Sequence, residues 1–123
     1  VARPEGADPS RRKAERQGHR AEYVAALYLM LKGYRILALR HRTRLGEIDI
    51  IARKGSVVAF VEVKARRDAA SSVDAVTAAS QRRIRAASDL WLAKQKDAHL
   101  LTQRYDILAV APFAWPRHFP DAF

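Results

Sequence analysis

The 123-residue chain has no cysteine, which excludes a disulfide framework, a thiolate zinc site, an iron–sulfur cluster and a cysteine nucleophile. No apolar run approaches the roughly 18 to 20 residues of a membrane-crossing helix, and the N-terminal residues lack the apolar core of a signal peptide, so a cytoplasmic protein with no membrane partner is expected. Internal repeats and low-complexity segments are absent. The four histidines show no metal-ligand spacing, and no serine, histidine and aspartate arrangement can be read from their positions. Acidic residues are scarce: 13 Asp and Glu stand against 23 Lys and Arg, for a net charge of +10. Such an excess attracts phosphates and displaces their counterions, which makes nucleic acid the leading partner. A basic surface that serves only solubility is the competing reading.

With 49% hydrophobic residues the chain can bury a core, and its length suits one domain. Residues 1–10 contain Pro4, Gly6 and Pro9 without apolar periodicity and read as a flexible lead-in, leaving 11–123 as a single domain. From about Arg11 a helix is predicted with Ala21, Val24, Leu27, Tyr28 and Leu31 on one buried face, stopped at Gly33. Tyr34–Leu39 reads as a strand that runs into a basic, turn-prone stretch, Arg40 to Gly46. Ile48–Ala52 and Val57–Val63 are rich in β-branched residues and flank Gly55-Ser56, a two-residue hairpin turn with Gly first. Ser71–Ala75 reads as a loop, and Thr77 caps a helix to about Lys94 with Ala79, Ile84, Ala87, Leu90 and Trp91 to one side. Tyr105–Val110 is a last buried strand, with an irregular tail after Pro112 and Pro116. A helix between the third and fourth strands permits a parallel crossover, so the class is α/β, a mixed sheet flanked by helices.

Two acids interrupt apolar strands, Asp49 in Ile48-Asp49-Ile50 and Glu62 in Val61-Glu62-Val63. Counting back from Lys54 opposite Val57, Asp49 comes to face Glu62. Directly opposed residues have Cβ atoms about 4.5–5.5 Å apart, and two like charges there repel unless a cation lies between them. Lys64 shares a face with Glu62 through the two-residue period of a strand. Carboxylate oxygens without Cys or His suit a hard ion, Mg²⁺ or Mn²⁺, which would acidify water and neutralise charge on a phosphoryl oxygen, with Lys64 adding positive charge. The competing reading is an exposed Glu62–Lys64 ion pair and a strand-end Asp49 that accepts backbone hydrogen bonds. Glu22 lies beside the helical stripe with Ala25, Ala26 and Leu29 on its own face, and is either close to the sheet or a solvated carboxylate. Arg40, Arg42, Arg44, Arg66 and Arg67 flank the hairpin as walls of a phosphate groove, and Gln81 and Arg83 open the second helix near a bound strand. Phe60, Trp91 and Tyr105 read as core rather than as base-stacking platforms.

The segments Gly18-x-x-Ala21-Glu22, Gly33-Tyr34-Arg35-Ile36-Leu37, Gly46-Glu47-Ile48-Asp49-Ile50-Ile51-Ala52, Phe60-Val61-Glu62-Val63-Lys64-Ala65-Arg66, Arg104-Tyr105-Asp106-Ile107-Leu108-Ala109-Val110 and Pro120-Asp121-Ala122-Phe123 resemble the YraN-like family of small bacterial proteins, whose members look like PD-(D/E)XK nucleases. The resemblance runs through nearly everything after about Arg16. It implies a restriction-endonuclease-like αβββαβ core related to Holliday-junction resolvases. It further implies Asp49 and Glu62 as ligands of Mg²⁺ or Mn²⁺, Lys64 as the catalytic lysine, Glu22 as a member of the site and Gln81 near a helical polar position.

The expectation is therefore a metal-dependent endonuclease acting on DNA, branched DNA included, in which Asp49, Glu62 and the Val63 carbonyl hold the ion. A junction cutter would need two active sites and so a symmetric homodimer. The alternatives are a non-enzymatic nucleic-acid-binding module of the same fold and an adaptor whose basic patch meets an acidic partner.

Overall fold

The computed structural model describes residues 9–65 and 76–123. Helix α1 (Pro9–Leu31) is followed by strands β1 (Arg35–Thr43), β2 (Gly46–Lys54) and β3 (Val57–Ala65), helix α2 (Ala78–Ala93), a 3₁₀ turn (Ala98–Leu100), and strands β4 (Thr102–Val110) and β5 (Arg117–Phe119). The strands form one five-stranded sheet in the order β1-β2-β3-β4-β5. β3 and β4 run parallel, joined by the α2 crossover, and the other neighbours are antiparallel. This is the α/β class with its αβββαβ core. Pro9 and Ser10 already belong to α1; the remainder of the lead-in and the loop Ser71–Ala75 lie outside the described residues. No helix among the described residues is long and apolar enough to cross a membrane.

The β2–β3 hairpin forms where its turn chemistry demands, with Gly55 at φ 62 and Lys54 opposite Val57. Glycine takes this left-handed conformation without a Cβ clash. The basic stretch after Leu39 is a strand rather than a turn. β1 continues to Thr43 because Thr43 itself builds a two-residue connection at Arg44-Leu45. Its Oγ1 accepts the N–H groups of Leu45 (3.1 Å) and Gly46 (3.0 Å) and donates to the Gly46 carbonyl (2.8 Å). The tail is also more ordered than predicted. Arg117, His118 and Phe119 pair with Ala109, Leu108 and Ile107, since these three residues between Pro116 and Pro120 keep the N–H groups that proline lacks.

Helix α1 turns a different face inward from the one predicted. Ala21 is buried as expected, but Val24, Leu27 and Leu31 are exposed, and the buried face is Ala25, Ala26 and Leu29, the face that also carries Glu22. These residues pack with Tyr34, Ile50, Ala52, Ala59, Val61 and Leu108. Alanine on both surfaces brings helix and sheet close together, whereas the Leu and Val stripe would hold them apart. On the opposite side α2 inserts Ile84 and Ala87 against Ile48, Ile51, Val58, Phe60 and Tyr105. Thr77 caps α2 by accepting the Ser80 N–H at 3.1 Å, as predicted. Phe60 packs edge-on against Trp91 and face-on against Tyr105, so these three aromatics are core. Ser88 is buried in the α2 face, with its hydroxyl 2.7 Å from the Tyr105 hydroxyl.

Candidate active site at the open end of the sheet

The β2–β3 ladder stops at Ile50 opposite Val61, one pair short of Asp49 and Glu62. Ile48 and Ile51 both enter the α2-side core while Ile50 and Ala52 enter the α1-side core, so the alternation of β2 slips by one residue at Asp49. The carboxylate is thereby turned toward β3, where Asp49 Oδ2 accepts the N–H of Val63 at 2.8 Å. It replaces the carbonyl that would have continued the ladder. On the β1 side, Arg40 has φ 48, a left-handed conformation uncommon for a residue with a Cβ. The β1–β2 ladder keeps its register past this point, with Leu39 opposite Ile50 and His41 opposite Ile48, so the sheet opens beside Asp49 toward β3.

Glu62 projects beside Asp49, and its Oε1 lies 3.4 Å from Lys64 Nζ, the same-face pair expected from strand alternation. Both acids are held above the ordinary carboxylate range. Burial is the main cause for Asp49 and Glu47 adds to it, while the Val63 N–H and Lys64 oppose. Burial and then the neighbouring Asp49 push Glu62 up to about 7, against the pull of Lys64. A hydrogen bond between the two side chains lowers Asp49 and raises Glu62. Burial thus opposes ionisation of both carboxyls, and each acid responds to the charge of the other.

Glu22 reaches this end of the sheet from α1. Its Oε2 is buried without a hydrogen-bond partner among the described residues and lies 3.6 Å from Arg40 Nη1. Burial first, then Asp49 and Glu47, push its carboxyl up to about 7 against the lowering effect of Arg40. Of its two expected settings, the structure shows the one near the sheet.

A cleft of about 250 Å³ opens here, lined by Glu47, Asp49, Glu62, Ser80, Arg83 and Ile84. The first turns of α2 form its far wall. Gly46 allows this: a Cβ there would lie 2.9 Å from the Arg83 carbonyl oxygen, so a side chain would push α2 away from β2. Arg83 donates to the Ser80 hydroxyl at 3.3 Å and is the predicted basic residue that faces the acids across the cleft. Arg42 is paired with Glu47 at 3.6 Å, and Arg44 is exposed on the β1–β2 turn. Gln81 donates to the Val76 carbonyl at 3.3 Å and is not among the lining residues. Arg66 and Arg67 lie outside the described residues. Glu47 and Ser80 were missed in the sequence. The two-residue spacing of Glu47 and Asp49 was the available signal for the first; nothing local marked the second, because a helix brings it to the strand.

Among the described residues no three His, Asp or Glu side chains converge into a ready cage for an ion. Two adjacent carboxylates short of hydrogen-bond donors nevertheless fit a hard divalent cation, which takes oxygen donors and retains several waters. Two neighbouring acids whose burial opposes their ionisation are the arrangement a double positive charge would relieve.

Residues 21–110, which include the acids, the lysine and the cleft-lining turn of α2, match the Uncharacterised protein family UPF0102. The chain is 73% identical over 113 residues to a UPF0102 protein of Rhizobium etli (strain CIAT 652), covering 92% of this chain and 93% of that protein. It is 66% identical over 116 residues to one of Rhizobium meliloti (strain 1021), covering 94% and 95%. To one of Agrobacterium fabrum it is 62% identical over 119 residues, covering 97% and 98%. Matched along nearly its whole length and across the open end of its sheet, the chain belongs to the UPF0102, or YraN-like, family.

Proposed function

We propose that this protein is a metal-dependent endonuclease that hydrolyses phosphodiester bonds of DNA, branched DNA included, in a cytoplasmic setting. The observation that carries the reading is the juxtaposition of Asp49 and Glu62 in a cleft faced by Arg83, with Lys64 paired to Glu62 at 3.4 Å. Asp49, Glu62 and the Val63 carbonyl would hold Mg²⁺ or Mn²⁺, which when bound supplies charge to polarise a phosphoryl oxygen and to acidify water. Lys64 places an ammonium beside Glu62 and offsets negative charge that develops on the attacked phosphate. Arg83, Ser80 and the N-terminal turn of α2 supply phosphate-oxygen donors across the cleft. Hydrolysis joins a water oxygen to phosphorus and releases one bridging oxygen, which gains a proton. Glu22, with its carboxyl near 7, exchanges protons in the neutral range where such transfers are needed. Two such sites on one branched substrate would require a homodimer.

The test is incubation of linear, flapped and four-way DNA with Mg²⁺, Mn²⁺ or chelator. Cleavage with either ion and none with chelator is expected. Lys64→Ala should lower the cleavage rate by about 10²–10³-fold, and Asp49→Ala should abolish it, both with unchanged circular dichroism. Full cleavage by both variants rejects the mechanism. A binder without hydrolysis is favoured by the lack, among the described residues, of three acidic or histidine side chains that converge into an ion cage; it would show salt-sensitive DNA binding with no cleavage under any ion.

A further inference from the structure

The register of β3 and β4 places a second element at the same end of the sheet. Lys64 and Ala65 pair with Ala109 and Val110, and the chain leaves β4 there to form residues 111–116 before returning as β5, where Arg117 pairs with Ala109. With strands about 4.8 Å apart, this connection starts on the order of 5–10 Å from the backbone of the catalytic lysine. It carries the two most exposed large hydrophobic residues among the described ones, Phe113, fully exposed, and Trp115, 82% exposed. Two large rings exposed within one short connection have no packing reason to be there.

The connection is also stiff. Pro112 and Pro116 bracket the rings and restrict the backbone on either side of them, β5 anchors the far end, and Phe113 has φ 58. Rings presented on a preformed backbone lose little entropy when they are covered. The exposed Arg117 follows immediately, its guanidinium 5.1 Å from the Phe119 ring, so the run reads aromatic, aromatic, cation at alternate positions. Sequence-tolerant single-strand binding sites combine these features, with rings on which bases stack and cations along the phosphate backbone.

We propose that Phe113 and Trp115 are a stacking platform for unpaired nucleic-acid bases, with Arg117 on the adjoining phosphate. The platform holds a single-stranded segment or an opened branch point beside the Asp49–Glu62–Lys64 cleft. A protein partner would also cover exposed rings, but the +10 charge of the chain and the shared sheet end favour nucleic acid. The proposal deepens the nuclease reading by naming the substrate class: DNA with unpaired bases near the scissile bond.

The test is fluorescence anisotropy, in chelator, with a fluorescein-labelled oligothymidine of about 20 nucleotides and a fully paired duplex of the same length. The intact protein should prefer the single strand, and its Trp115 emission should be quenched on binding. Phe113→Ala/Trp115→Ala should weaken single-strand binding by at least about tenfold and erase the preference, while Trp115→Phe should retain most of the affinity and Trp115→Leu should not. The proposal is overturned by an unaltered preference in the double alanine variant, by equal affinity in Trp115→Leu, or by loss of self-association in sedimentation as the only effect. Because binding is read without divalent ions, an inactive protein that binds through these rings defeats only the nuclease reading. A cleaving protein indifferent to their removal defeats only this one.

Discussion

Asp49 on β2 and Asp106 on β4 are both acids within strands of one sheet, yet their surroundings differ in kind. Asp106 is completely buried and its oxygens are satisfied: Arg104 Nε donates at 2.8 Å and Nη2 at 2.7 Å, His118 Nε2 lies at 2.7 Å and the Asp121 N–H at 3.0 Å. Lys32 Nζ donates to His118 Nδ1 at 2.6 Å, which leaves the imidazole proton on Nε2, toward Asp106. Burial alone would raise this carboxyl, but the hydrogen bonds from Arg104, His118 and the Asp121 backbone outweigh it and hold the group at about 2. Among the described residues Asp49 and Glu62 have one backbone N–H and one lysine between them, and burial wins. The lesson is that desolvation is common to both places, and the number of donors decides whether an acid ties the fold together or waits for an ion.

The comparison is broken most severely by Asp106→Asn, which leaves the partly buried Arg104 without its charge partner. A loss of about 3 kcal/mol is expected, read as a fall in melting temperature on the order of 10 °C. The native pKa of Asp106 lies below its ordinary 3.8, so its contribution is complete above about 4 and disappears as pH falls toward 2. The difference between wild type and variant should shrink over that interval in acid titrations of stability.

Glu62→Gln should act with the opposite sign. Because the native carboxyl is raised from 4.5 to about 7, the wild type is relatively stable below about 4.5 and loses that stability as pH rises toward 7. The variant should therefore be more stable by about 2 kcal/mol at pH 8 and indistinguishable at pH 4. Denaturant titrations at the two pH values check this, and destabilisation at pH 8 would place Glu62 with Asp106 as a structural acid.

A smaller effect sharpens the contrast without altering the fold. Mn²⁺ at about tenfold over its dissociation constant should stabilise the protein by about 1.4 kcal/mol at pH 8. The gain should fade toward pH 5 as protons reclaim the acids. It should vanish in Asp49→Asn and survive in Asp106→Asn; the same gain in Asp49→Asn would move the ion elsewhere.

The nearness of the two acids was legible because a two-residue turn at Gly55 sets the register behind it as far as Ile50 opposite Val61, one residue short of Asp49 and Glu62, and a period of two put Lys64 on the face of Glu62. Thr77 marked the start of α2 for an equally local reason, the satisfaction of an exposed N–H. The inner face of α1 was not legible, because its Val and Leu stripe is the more apolar one while the alanine face fits the sheet more closely. The slip of β2 at Asp49 was hidden for a similar reason, since it depends on the Val63 N–H of a neighbouring strand.

Local spacing along the chain determined which acids and which lysine share a strand pair, since turns and strand periods act over a few residues and need no knowledge of the remainder. Tertiary structure alone decided what faces them: Ser80 and Arg83 across Gly46, Glu22 from the alanine face of α1, and the rings of residues 113 and 115 at the same sheet end. These positions follow from packing distances and parallel strand register, which join residues far apart in sequence.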